Sequence, residues 1–333
     1  MHTKRTHVLH AALLAAALTT AALAAPAHAD EGGVSFWLPG QYASLAAPPP
    51  PPGFYLGGNT YVYSGDASHE RSFPIGGSIV ADVDGDFVGQ FVTALYAPEG
   101  KVLGGGQLAL SISGAYGWNS VSGDIRIARP NGDVRTGRRD DSVWGFGDLY
   151  PLASVAWNKG TNNWLAYLTG DLPVGAYDPD RLANIGIGHA AVDGGGAYTF
   201  LDPKSGREFS ATAGLTYNFE NPQTDYKSGV DFHLDWAASQ FLNEQVYVGL
   251  AGYWYQQLSN DSGSGDRVGA FKSSVAAVGP EVGYLFSVNG RQAALNARAY
   301  WEFAAEHRLE GWAGFLTLSV PLTGPRPKAA AGS

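Results

Sequence analysis

Residues 207–220 read REFSATAGLTYNFE, and within them the apolar positions recur at every second residue. Phe209, Ala211, Ala213, Leu215, Tyr217 and Phe219 share one side of an extended chain. Ser210, Thr212, Gly214, Thr216 and Asn218 share the other. Successive side chains of a strand point in opposite directions, so a period of two marks a β-strand with two unlike faces. The run is also long, against the usual soluble strand of about five to six residues.

The same pattern recurs on both sides of this stretch. Val230, Phe232, Leu234, Trp236 and Ala238 alternate with Asp231, His233, Asp235 and Ser239, and Leu295, Ala297, Ala299, Trp301 and Phe303 alternate with Asn296, Arg298, Tyr300 and Glu302. Continued along the chain, the alternation predicts strands near 54–64, 86–97, 106–117, 147–157, 163–174, 195–202, 208–219, 229–240, 245–256, 273–287, 292–303 and 311–322. Every second connection is short, as at Ala97–Gly104, Asn158–Asn162, Asp202–Arg207, Leu242–Glu244 and Val288–Arg291. The others are longer and are expected as loops, among them Gly65–Gly85, Trp118–Phe146, Gly175–Gly194 and Leu258–Lys272. Short turns on one side, long loops on the other and an even strand number form the pattern of an outer-membrane barrel. The predicted fold class is therefore all-β, a transmembrane antiparallel up-and-down β-barrel of about 12 strands over 53–322.

Composition agrees. The chain has 45 Gly, 17 Tyr, 15 Phe and 9 Trp with 15% charged residues, which favours strands over helices. A soluble barrel would alternate too, with its apolar face inward. Strand length, aromatics near the segment ends and a Gly-rich polar face favour the membrane form.

The N-terminus has the layout of an export signal. Lys4 and Arg5 precede an uncharged run from Val8 to Ala25 and the small-residue sequence Ala27-His28-Ala29, so residues 1–29 are expected to be removed by cleavage after Ala29. No stretch beyond it is apolar for long enough to make a membrane helix. The absence of cysteine excludes thiolate chemistry, thiolate metal sites and disulfides. Without Lys4 and Arg5 the 21 basic residues become 19 against 30 acidic ones, a balance of −11 that argues against a nucleic-acid partner. The expected partners are outer-membrane lipids and the barrel-assembly machinery.

Residues 30–52 stand apart from the strands. Phe36, Trp37 and Leu38 precede a Pro39-Gly40 break, and the five prolines 48–52 form a stiff spacer before the first strand. Three large apolar side chains without a strand would be a sticky patch in water, so this segment is expected to fold back as a plug and offer a hydrophobic solute an apolar contact, the competing reading being a docking motif for a periplasmic partner. Residues 323–333 form a C-terminal tail.

Candidate pathway residues lie on polar faces. Asp231, His233 and Asp235 follow one another on one strand, while Glu281, Asn296, Arg298 and Glu302 are expected to complete a polar constriction in the lumen. The bland alternative is that lumen residues are polar because they are wet or cross-paired. Asp82, Asp84 and Asp86 lack the remaining ligands of a calcium loop and read as a solvated loop, so no metal or cofactor is expected. No serine is evidently placed beside His233, His69, His189 or His307, the last three in or beside loops, and no catalytic residue is assigned. A lipase-like barrel enzyme and a structural or adhesive barrel remain the alternatives to a channel.

Three stretches carry a family resemblance: EGGVSFWLPG at 31–40, NPQTDYKSGVDFHLDW at 221–236 and GYWYQQ at 252–257. The chain resembles, over nearly its whole mature length, the outer-membrane proteins associated with the meta-pathway of phenol degradation. That resemblance implies an outer-membrane barrel that helps small hydrophobic or aromatic compounds into the cell. It implies no catalytic residue. The sequence departs from the family in the length of its proline run and in ending on Lys328–Ser333 rather than an aromatic, which leaves Leu316–Leu322 as the candidate assembly signal.

Overall fold

A computed structural model describes residues 35–75, 78–128, 134–264 and 272–324. The expected signal peptide and most of the C-terminal tail lie outside the described residues. Among those described are twelve strands: β1 (Gly53–Ile75), β2 (Ser78–Ala97), β3 (Gln107–Ala128), β4 (Val134–Lys159), β5 (Asn162–Asp171), β6 (Ala191–Asp202), β7 (Arg207–Asn218), β8 (Val230–Phe241), β9 (Val246–Gln257), β10 (Ser274–Val288), β11 (Arg291–Glu306) and β12 (Glu310–Pro321). Each pairs antiparallel with its neighbours in sequence, and β1 pairs with β12, so the sheet closes. No described helix is long and apolar enough to cross a membrane.

The two faces of the wall are inverted relative to a soluble protein. On β7, Phe209, Leu215 and Tyr217 are exposed, while Glu208, Ser210, Thr212 and Thr216 are buried. The same holds around the ring, with Leu250, Trp254, Trp301 and Leu316 exposed and His233, Asp235 and Arg298 buried. An outward apolar face and a polar interior suit a wall whose outside meets hydrocarbon.

Two of the expected long loops are strand instead. β1 continues over 65–75 and β2 over 78–85, so that His69 sits in β1 and Asp82, Asp84 and the adjoining Asp86 in β2, and β3 and β4 continue through much of Trp118–Phe146. These four strands have 20 to 26 residues, whereas β5 to β9 have 10 to 12. At about 3.3 Å per residue the four are roughly 65 to 85 Å long, against an apolar band about 25 Å tall. Beyond that band both faces are wet, so pairing persists without the apolar-polar alternation that marks a strand in sequence. Asp82 has φ 50°, and the β2–β3 register shifts between Ala81 and Asp84, as at a bulge.

Candidate functional site

The lumen is built from the inward face of the strands and from residues 35–47. Thirteen residues of irregular backbone carry many donors that need acceptors, and the barrel wall supplies them. Near the short-turn end, Ala47 N donates to Thr199 Oγ1 at 3.0 Å and Leu45 N to Glu208 Oε1 at 3.0 Å. Ser44 Oγ lies within hydrogen-bond distance of Glu208 Oε2, at 2.7 Å, and of Glu281, and shares its one proton between them. Deeper in, Asp235 receives Gly40 N at 2.8 Å and Tyr42 N at 3.2 Å. Arg298 supplies the complementary donors, from Nε to Gly40 O at 3.0 Å and from Nη2 to Gln41 O at 2.7 Å. Hydrogen bonds with an ionised partner are stronger than neutral ones, so these side chains grip the segment firmly.

A turn sets the direction of the segment. Gln41 N donates to Leu38 O at 3.1 Å, with Pro39 and Gly40 at the centre and Gly40 at φ 81°. Proline followed by a residue of positive φ is the arrangement of a type II turn. The break expected from Pro39-Gly40 is this turn. Gly40 also lies between rings, since a Cβ there would be 2.8 Å from both Tyr253 and Tyr300.

Beyond the turn, the Trp37 ring stacks on His233 with centroids 3.5 Å apart, flanked by Tyr42 at 5.6 Å and Tyr167 at 5.8 Å. Trp37 is 2% exposed, whereas Phe36 and Leu38 keep some exposed surface. His233 Nε2 is 2.9 Å from Asp193 Oδ2 and 3.3 Å from the Tyr167 hydroxyl, and Thr216 Oγ1 donates to the same Asp193 oxygen at 2.6 Å. Burial, with Asp235 and Asp193 close by, pushes the Tyr42 phenol up to about 12. The immediate neighbours of His233 are thus an aspartate, a tyrosine and a tryptophan.

The remaining candidates have distinct places. Asn296 links two gripping residues, accepting from Arg298 Nη1 at 2.7 Å and donating to Glu281 Oε2 at 3.2 Å. Asp231 accepts from Asn218 Nδ2 at 2.7 Å. Glu302 accepts from the hydroxyls of Tyr63 at 2.8 Å and Tyr253 at 2.7 Å and from Gly311 N at 2.9 Å, so it ties the long-loop end of β11 to β1, β9 and β12. Sequence reasoning missed Asp193, Glu208, Thr199 and Tyr167. Glu208 lies on the polar face of the stretch that decides the fold, but only its contact with Ser44 and Leu45 distinguishes it. Asp193 had been expected in a loop and lies in β6, where Gly194, Gly195 and Gly196 blur the alternation.

A closed twelve-strand barrel, apolar outside and polar inside, belongs to the class of outer-membrane barrel folds. The family model described as "Putative MetA-pathway of phenol degradation" matches residues 68–318, and the chain belongs to that family. Its fold is that of the COG4313 outer membrane channel from Pseudomonas putida F1, at TM-score 0.62 and 13% identity, with 85% of this chain and 98% of that one covered. A Pseudomonas aeruginosa FadL homologue is a looser match, at TM-score 0.37 and 10% identity over 80% of this chain and 88% of its own. Among curated protein sequences, none matches.

Proposed function

We propose that the protein is an outer-membrane channel for small hydrophobic or aromatic solutes, with residues 35–47 as its plug. The observation that supports this reading is a segment seated in the lumen by hydrogen bonds and ring contacts, where it narrows the bore. The outward apolar face supports residence in a bilayer. The P. putida protein of the same fold is described as an outer membrane channel, and the family of this chain is described by a putative pathway of phenol degradation.

In this reading Asp235, Glu208, Glu281 and Arg298 hold the plug, with Asn296 bracing two of them. Asp231, His233 and Glu302 shape the field around it. Phe36 and Leu38 offer the solute apolar surface, and Trp37 anchors them by stacking on His233. Export by a signal peptide cleaved after Ala29, and insertion by barrel-assembly machinery that reads Leu316–Leu322, belong to the same account.

The test is deletion of Glu31–Ala47 behind an intact signal peptide. Proteoliposomes of the full-length protein should take up phenol or toluene faster than protein-free vesicles, and the deletion should raise single-channel conductance severalfold. Unchanged conductance in a folded deletion variant would reject the plug. Absence of uptake by the full-length protein would reject the channel.

A further inference from the structure

The lumen has two unlike halves. Inward residues of β6 to β10 are buried and include Asp193, Glu208, Asp235 and Glu281, most of them engaged by residues 35–47. On the opposite wall, the inward positions from Tyr55 to Tyr63, Phe87 to Leu95, Ala109 to Asn119 and Tyr150 to Ala156 carry no charge. Many of them keep partial exposure, among them Phe87, Phe91, Thr93, Ser113, Tyr150 and Leu152. Space therefore remains on this side of the segment, and rings line it. Tyr150 is 6.0 Å from Phe36 and 6.3 Å from Phe91, centroid to centroid.

One acceptor stands beside these rings. The pairs Leu149 with Leu172 and Leu152 with Thr169 place Tyr150 opposite Asp171 across the β4–β5 ladder. Asp171 is 3% exposed, and neither of its carboxylate oxygens has a hydrogen-bond partner among the described residues. Its neighbour Asp148 differs, accepting from Gly175 N at 2.7 Å and Ile187 N at 2.9 Å. A buried acceptor left empty is unfavourable, and a ligand that brings a donor removes that cost.

We propose that solute passes between residues 35–47 and the uncharged stretch of the inner wall of β1 to β4, and that Asp171 accepts a hydrogen bond from it there. The ligand class is an uncharged aromatic ring bearing a hydroxyl or amino donor. The rings supply stacking surface, and an acceptor without a partner is matched by a donor rather than by an anion such as benzoate. This deepens the channel reading and rests on it for transport, but the binding site can be tested alone.

The chain has no cysteine, so a single introduced thiol reports one position. Ser113 pairs with Tyr150, and Thr212 is buried on the opposite wall. In reconstituted full-length protein, benzyl methanethiosulfonate should modify Ser113→Cys and leave Thr212→Cys largely unmodified. Phenol should protect Ser113→Cys, and benzoate at equal concentration should not. Adding Asp171→Asn should raise the half-protecting phenol concentration about tenfold while leaving that of anisole, a similar ring without a donor, within about twofold. Labelling of Thr212→Cys but not Ser113→Cys overturns the path. An equal change for phenol and anisole overturns the role of Asp171. Phenol protection without phenol uptake supports the site while rejecting transport, and uptake without protection overturns the site while sparing the channel.

Discussion

Gly40 concentrates the demands that the lumen places on single residues. It has a positive φ, its carbonyl accepts from Arg298, its amide donates to Asp235, and two tyrosine rings leave no room for a methyl group. Gly40→Ala pays about 1 to 2 kcal/mol for the left-handed backbone alone, before any clash with Tyr253 or Tyr300. That shifts a seated-to-released ratio roughly five- to thirty-fold, and single-channel records should show more frequent large-conductance openings with no loss of the folded barrel. At this scale the sequence was informative in part. Phe36, Trp37 and Leu38 were identifiable because three large apolar side chains had no strand to join. Glu208, Asp193 and Asp171 were not, because each is one polar residue among many on inward faces and its meaning comes from a partner far along the chain.

At the scale of elements, strands were legible wherever the wall separates two solvents. β7, β8 and β11 alternate because one face meets an apolar surrounding and the other the lumen, and their bounds fall close to the expected ones. The upper parts of β1 to β4 were read as loops because that contrast lapses there, while the backbone ladder, which side chains report only indirectly, continues. In the plug reading, residues 35–47 decide which acidic side chains of β6 to β10 a passing ion meets. Their removal uncovers Glu208, Asp235 and Glu281 against His233 and Arg298, with Asp231 on the same inward face of β8, so the deletion channel should prefer cations. Asp231→Asn with Asp235→Asn in that background should weaken the preference, measured as a reversal-potential shift toward zero in a salt gradient. With the segment in place, the same pair of substitutions should change selectivity less, because Asp235 is covered.

The described residues form a closed ring of twelve paired strands, each held on both sides. Such a ring has no edge from which to fray, and its backbone groups are satisfied within the wall. The purified protein should therefore stay folded and migrate anomalously in dodecyl sulfate until heated, with a β-dominated circular dichroism spectrum. Conversion to the unfolded mobility without heating, or a helical spectrum, would contradict the architecture.

The grip on Gly40 also orders events in time. Its partners Asp235 and Arg298 lie 195 and 258 residues further along the chain, so the stretch synthesised early is seated by residues made late. Contacts so distant in sequence form slowly, because the intervening chain must first be brought together. The wall that receives residues 35–47 is complete only when β1 has met β12. If residues 35–47 are the plug proposed above and the ring does not shut around them, each newly assembled molecule begins life with its widest bore. The cell's exposure to leakage through it then depends on how quickly the last piece falls into place.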